Sequence, residues 1–179
     1  MAYDMRNDLQ ETLVSKEEIA ATVARLGAEI SRDYEGKNPI LITVLKGAFI
    51  FMADLCRAIS VPCEIGFMAA KSYYSGTTSS GVVKITMDLD QDISNYHVII
   101  VEDIIDTGRT IKEVVEVLQD RSPLSLEVIT LVDKPECRMV EFKPDKALFT
   151  VGDVYVIGCG MDCGEHYRNL PYLAEYDRS

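Results

Sequence analysis

Apolar residues in this chain fall into two kinds of segment that alternate along it. Residues 40–45, 98–101 and 126–132 are short runs dominated by aliphatic side chains, the pattern of strands buried on both faces. Between them, apolar positions recur at three- and four-residue spacing. Ser15-Lys16-Glu17-Glu18 has the form of a capping box, and Ile19, Val23, Leu26 and Ile30 follow on one helical face. Residues 36–39, with Gly36 and Pro39, end that helix. Residues 48–59 predict a second helix, and residues 110–119 a third with Ile111, Val114, Val115 and Leu118 on one side. Residues 64–69, 82–87 and 155–157 predict further strands.

Strands alternating with helices imply an α/β fold: a mostly parallel, twisted sheet flanked by helices. A length of 179 residues suits one domain. Residues 71–81, Lys-Ser-Tyr-Tyr-Ser-Gly-Thr-Thr-Ser-Ser-Gly, break the alternation, being polar, small and without periodicity. In such sheets ligands bind beyond the carboxyl ends of the strands, which directs attention to the loops after Leu45, Val101 and Val132.

Composition narrows the function classes. The chain is 47% hydrophobic and 26% charged, ordinary for a globular protein, and its net charge of -11 argues against a nucleic-acid partner. The first residues, Met-Ala-Tyr-Asp-Met-Arg-Asn-Asp, hold no apolar core of a signal peptide. The longest apolar stretch, residues 40–55, is interrupted by Lys46 and Asp54 and is too short for a membrane span. The expectation is a cytoplasmic protein with no membrane partner. Five cysteines, an odd number, point to reduced thiols. Cys159, Cys163 and His166 invite a zinc reading, but their spacing is not that of the usual Cys pair and no second ligand pair accompanies them.

The chemistry concentrates in residues 98–110, Val-Ile-Ile-Val-Glu-Asp-Ile-Ile-Asp-Thr-Gly-Arg-Thr. An apolar run ends in Glu102 and Asp103, Asp106 follows, and a Thr-Gly-Arg-Thr turn leads into a helix. Helix N-termini attract phosphate, whereas carboxylates repel it. The acids therefore have to serve something else, and sugar hydroxyls, a divalent cation or a proton would each suit them. Asp106-Thr107-Gly108 matches the aspartic-protease triplet. That chemistry needs two such carboxylates, and here one copy precedes a helix. Neither dinucleotide nor P-loop glycine motifs are present. A strand-to-helix turn with solvated acids is the plain alternative.

Val101-Glu102-Asp103-Ile104-Ile105-Asp106-Thr107-Gly108-Arg109-Thr110 resembles the phosphoribosyl-diphosphate motif of the type I phosphoribosyltransferases, the hypoxanthine-guanine branch in particular. The likeness covers most of the chain. Leu45-Lys46-Gly47 is similar to that family's pyrophosphate loop, and Lys71-Ser72-Tyr73 to the start of its lid. Asp133-Lys134-Pro135 with Arg138 is similar to its purine-reading segment. Residues 155–158, Asp162 and residues 167–172 are similar to its C-terminal hood.

The resemblance implies transfer of a phosphoribosyl group from 5-phosphoribosyl 1-diphosphate to hypoxanthine or guanine, giving IMP or GMP and pyrophosphate, with Mg2+ as cofactor. It implies a homodimer or homotetramer, a mobile lid over residues 71–82, and a hood made by residues 151–179 with N-terminal residues. Asp106, Thr107, Gly108, Arg109 and Thr110 would hold the 5-phosphate. Glu102 and Asp103 would face the ribose hydroxyls and, with Asp162, the metal. Lys46, Gly47 and Arg168 would hold pyrophosphate, with a cis peptide between Leu45 and Lys46. Ser72 and Tyr73 would belong to the lid.

Each role has a physical rationale and a plain alternative. Asp106 would take the proton of purine N7 as the base attacks C1 of the ribose, or else cap a helix. Lys134, a pure donor, suits a 6-oxo group and not a 6-amino group, unless it is a surface lysine. Tyr155 would stack on the purine and Val156 offer its carbonyl, or both are ordinary strand residues. Lys46, Asp162 and Arg168 could each be solvated charges. Val151-Gly152-Asp153 stands where many relatives carry Ile-Pro-Asp, and Cys159 and Cys163 stand where many carry Tyr, so the purine preference stays open. A xanthine-preferring enzyme and a regulatory protein that senses phosphoribosyl diphosphate are the alternatives.

Overall fold

Helix formation begins where the sequence places a cap. The structure, a computed structural model, describes residues 9–73 and 82–177. Ser15 caps α1, Lys16–Asp33: its hydroxyl accepts the Glu18 N–H at 3.3 Å, and the Glu18 carboxylate accepts the Ser15 N–H at 3.0 Å. Ile19, Val23, Leu26 and Ile30 are buried, as their spacing predicts. The second helix, α2 at Phe49–Ala58, packs on α1. The approach is close at Gly27, where a Cβ would fall 2.5 Å from that of Ala58.

Six strands make the main sheet: β2 (Pro39–Leu45), β3 (Glu64–Tyr73), β4 (Val82–Met87), β5 (His97–Ile105), β6 (Ser125–Asp133) and β7 (Lys146–Thr150). Their order is β4-β3-β2-β5-β6-β7, and all neighbours are parallel except the antiparallel pair β3 and β4. Leu41, Ile99 and Ile129 cluster with Phe51 and Leu55 of α2 on one face. Ile40, Ile42 and Ile100 cluster with Ile111, Val114 and Leu118 of α3 (Arg109–Gln119) on the other. Both faces of β2 are thus covered, which explains its unbroken apolar run. Full burial of each such side chain contributes about 1.5–3 kcal/mol. Thr43, the polar residue of that run, donates its hydroxyl to the Val101 carbonyl at 2.7 Å.

The expected fold class is the observed one, and three details differ. First, β5 does not stop at Val101. Glu102 pairs with Thr130, Ile104 with Val132 and Ile105 with Asp133, so both acids stand on a strand and not in a loop. A ladder is made by backbone groups and continues under polar side chains as readily as under apolar ones. Second, β3 continues to Tyr73. Lys71 pairs with Lys84, Ser72 with Val83 and Tyr73 with Val82, so the expected lid begins and ends as an antiparallel arm. Residues 74–81 of that lid lie outside the described residues.

Third, the hydrophobic pattern does not foretell β7 or a second sheet. That sheet has the order β1-β9-β8, with β1 at Leu9–Val14, β8 at Val156–Ile157 and β9 at Leu173–Tyr176. Val14 pairs with Leu173 and Ile157 with Ala174, both antiparallel. These strands are short, and β1 and β9 pair across nearly the whole chain. Among the described residues, no helix is long and apolar enough to cross a membrane.

Candidate active site

The carboxyl end of β5 runs straight into a helix start. Asp106 and Thr107 leave the strand, Gly108 takes φ +80, and α3 begins at Arg109. A Cβ on Gly108 would come within 3.0 Å of Arg138 Cδ and 3.1 Å of Val140 Cγ2, so the turn suits glycine on both conformation and space. No side chain caps α3. The Arg109 N–H reaches the Thr107 hydroxyl at 3.4 Å, and the N–H groups that follow have no capping side chain at Gly108. The turn borders a cavity of about 270 Å³ lined by residues 44–47, 102–108 and Thr110, among others. The alternative role of Asp106 as a helix cap is excluded, because the cap position is Gly108.

Above this turn stand the two strand acids. Glu102 is buried, and its Oε1 has no hydrogen-bond partner. Burial, reinforced by the Asp103 charge, pushes its carboxyl well above the usual carboxylate range. Asp103 is pushed up to about 6, chiefly by burial, although the Ile104 N–H donates to its Oδ1 at 2.9 Å. Its other oxygen lies against Gly47, where a Cβ would fall 1.8 Å from Oδ2. Gly47 is closed from the other side too, since a Cβ on Gly160 would lie 1.9 Å from the Gly47 carbonyl oxygen. The peptide between Leu45 and Lys46 is cis, as the resemblance implied. Lys46 itself is exposed, 3.2 Å from Glu165. That contact and Arg168 hold the Glu165 carboxyl below its ordinary range.

A second cavity, about 220 Å³, adjoins the first. It is lined by Asp103, Asp106, Lys134, Tyr155, Val156 and Asp162, among others. Lys134 is buried, and the Ile105 carbonyl accepts its backbone N–H at 3.0 Å. Its ammonium lies 3.8 Å from Asp106 Oδ1 and 3.4 Å from Asp153 Oδ1. Lys134 is therefore no surface lysine. Tyr155 donates its hydroxyl to the Asp162 carbonyl at 2.9 Å and meets Tyr176 edge-on, which sets its ring as a wall of this cavity. Arg168 pairs with Asp162 at 2.9 Å and donates to the Gly160 carbonyl at 2.7 Å, while its Nε is buried without a partner.

The structure thus draws Glu102, Asp103, Asp106, Thr107, Gly108, Thr110, Lys46 and Gly47 around one cavity, and Lys134, Tyr155, Val156 and Asp162 around its neighbour. Arg109 opens α3 beside them. Arg168 stands behind Asp162. Ser72 and Tyr73 lie at the end of β3, on the arm that leads to residues 74–81.

Sequence reasoning gives little weight to three participants. Arg138 donates to the carbonyls of Ile105 at 2.7 Å and Asp106 at 2.5 Å, and pairs with Asp133, so it ties the Asp106 turn to the end of β6. Its one signal in the sequence is its place after the Asp133-Lys134-Pro135 motif. Asp153 stands out in the sequence only as part of a departure from the family pattern. Gly160 carries no signal, because its need for glycine arises from Gly47, far away along the chain. Cys159 is packed in the core beside α1 and α2, its thiol pushed up to about 11 by burial, whereas Cys163 packs with a separate cluster around Tyr167.

Comparison with known proteins agrees with this geometry. Residues 10–164 match the phosphoribosyl transferase domain family. Over 169 residues the chain is 47% identical to the hypoxanthine-guanine phosphoribosyltransferase of Streptococcus pneumoniae, with 94% of each chain covered. It is 45% identical over 165 residues to that of Lactococcus lactis, covering 92% of this chain and 90% of the relative. A solved hypoxanthine phosphoribosyltransferase from Staphylococcus aureus aligns with a TM-score of 0.92 at 41% identity, covering 99% of this chain and 96% of that one.

Proposed function

This chain belongs to the phosphoribosyl transferase domain family, and from that premise we propose that it transfers the phosphoribosyl group of 5-phosphoribosyl 1-diphosphate to hypoxanthine, and also to guanine. The products are IMP or GMP and pyrophosphate, the reaction of purine salvage. The observation that carries the choice of base is the buried Lys134 ammonium, 3.8 Å from the Asp106 carboxylate on the wall of one cavity. A 6-oxopurine presents an acceptor at O6 and a proton at N7, side by side. An ammonium beside a carboxylate matches that pair, and a 6-amino group would face donor against donor.

N9 attacks C1 of the ribose, the C1–N9 bond forms and the C1–oxygen bond to pyrophosphate breaks. Asp106 accepts the N7 proton as positive charge grows on the base. The amides at the start of α3, with the Thr107 and Thr110 hydroxyls, hold the 5-phosphate. Glu102 and Asp103 accept from the ribose hydroxyls and oppose the positive charge that develops at C1. The unpaired Glu102 oxygen supports this role, since a hydroxyl would satisfy it. Lys46, the Gly47 amide and Arg168 face pyrophosphate, Tyr155 stacks on the base, and the Val156 carbonyl meets its edge.

The same carboxylates fit magnesium, a hard cation that keeps several waters and takes one or two protein carboxylates beside substrate oxygens. Glu102 and Asp103 would hold it, with Asp162 acting through water. When bound, magnesium neutralises the charge of the departing pyrophosphate. The antiparallel arm of β3 and β4 supports a lid role for the segment it flanks, and the small sheet β1-β9-β8 supports a hood over the base. The protein works in the cytoplasm as a homodimer or homotetramer.

Purified protein given phosphoribosyl diphosphate and magnesium with hypoxanthine, guanine, xanthine or adenine in turn tests the reading. The expected result is turnover of hypoxanthine and guanine and none of adenine. Adenine as the best substrate would overturn the role of Lys134, and xanthine as the best would move the enzyme to a neighbouring specificity.

A further inference from the structure

Lys134 is nearly closed off from water, yet the carboxylate nearest its ammonium is not Asp106. Its side chain is 8% exposed, and Asp153 Oδ1 stands at 3.4 Å against 3.8 Å for Asp106 Oδ1. The two acids come from different parts of the fold. Asp106 directly follows the β5 strand, and Asp153 lies in the turn between β7 and β8. The Cys137 thiol donates to the same Asp153 oxygen at 3.3 Å, so that oxygen is approached from two sides. The turn itself is pinned by the Val151 N–H on the Asp133 carbonyl at 3.1 Å and the Val154 N–H on the Gly152 carbonyl at 2.9 Å.

We infer that Asp153 is a positioning residue that holds the Lys134 ammonium between two carboxylates and so keeps Asp106 available for the base; this rests on the function proposed above. An ammonium has three N–H donors and a buried one needs opposite charge near it. With Asp106 as its only carboxylate, the ammonium would close on the oxygen that has to take the N7 proton. Asp153 pulls against that closure. One N–H serves Asp153, and another stays directed into the cavity where O6 lies.

The test compares Asp153→Asn, which keeps the shape and removes the charge, with Asp153→Glu, which restores it. With Asn, KM for hypoxanthine should rise and kcat fall, each by roughly fivefold, as suits a pair with one exposed partner. KM for phosphoribosyl diphosphate should stay within about twofold, and the melting temperature within about 2 °C, since no core contact is removed. Glu should recover most of the loss. Unchanged hypoxanthine kinetics in the Asn variant would overturn the inference. So would a parallel rise of both KM values with a lowered melting temperature, which marks a turn that has merely lost its structure. A wild-type protein inactive on every 6-oxopurine would instead defeat the functional reading itself.

Discussion

At the N-terminal ends of β5 and β6, Tyr34 donates its hydroxyl to Glu127 at 3.0 Å and His97 meets the Ser125 hydroxyl at 2.7 Å. Nearby, Lys146 pairs with Glu29 at 2.6 Å, and the Val128 N–H reaches Asp145 at 2.7 Å. At the C-terminal ends of the same strands, Glu102 buries an oxygen with no partner, and Asp103 is driven well above its ordinary pKa. Both ends bury ionisable groups: Glu127 and the Tyr34 phenol are also raised by burial. The difference lies in who supplies the partners. The lower end pairs its polar groups within the protein, and the upper end leaves a buried Glu102 oxygen unpaired, where the proposed function puts ligand hydroxyls and a cation. A polar group left unsatisfied in a buried place costs stability, and the fold tolerates that cost where a ligand relieves it.

Substitutions at the two ends should therefore act on different quantities. The largest effect is expected from Asp106→Asn, which should lower kcat by about 10²–10⁴-fold while nucleotide binding survives. Near-native turnover in a steady-state assay would remove the proton-accepting role. Lys134→Ala should reduce kcat/KM for hypoxanthine by roughly tenfold to a hundredfold, the loss of a charged hydrogen bond, with phosphoribosyl-diphosphate binding largely intact. Equal loss of both ligands, followed by calorimetry, would place Lys134 outside the base pocket's chemistry.

Asp103 sharpens the comparison through stability. Its folded-state pKa of about 6 lies above the ordinary carboxyl value, so folding favours the protonated form. Its favourable contribution is full below about pH 4 and is lost as pH rises through 6. In chelator-treated, ligand-free protein, Asp103→Asn should thus be more stable than wild type by about 3 kcal/mol at pH 7.5, with the advantage vanishing near pH 4. The same variant should lose activity. Urea melts showing the Asn variant less stable at pH 7.5 would contradict this.

The smallest change belongs to the lower end. Tyr34→Phe removes the donor to Glu127 and should cost about 1 kcal/mol, with kcat unchanged within about twofold. A large drop in turnover would erase the division between the two ends.

Legibility in the sequence follows the same division between local and distant causes. The capping box at Ser15, the helical face from Ile19 to Ile30 and the doubly buried β2 can be read because each depends on neighbours a few residues away. The end of β5 is misplaced by the hydrophobic pattern because polarity marks exposure, whereas strand pairing is a backbone matter. Strands β1 and β9 escape notice because each is short and finds its partner at the opposite end of the chain. In the site, the acids of β5 and the turn before α3 are visible as a motif. Asp153 and Gly160 are not, since each acts on a residue distant in sequence.

By itself the sequence determined the alternation of strands and helices and the acids placed beside a helix start, and its family resemblance singled out Lys134 as the expected reader of the base. Only the tertiary structure decided that Lys134 is buried, that it stands between Asp106 and Asp153, and that one Glu102 oxygen lacks a partner. Periodicity and capping are set by covalent neighbours and are written along the chain. Distances across a pocket, and the burial that shifts a carboxyl, are set by the register of parallel strands and by loops that meet only once the sheet has formed.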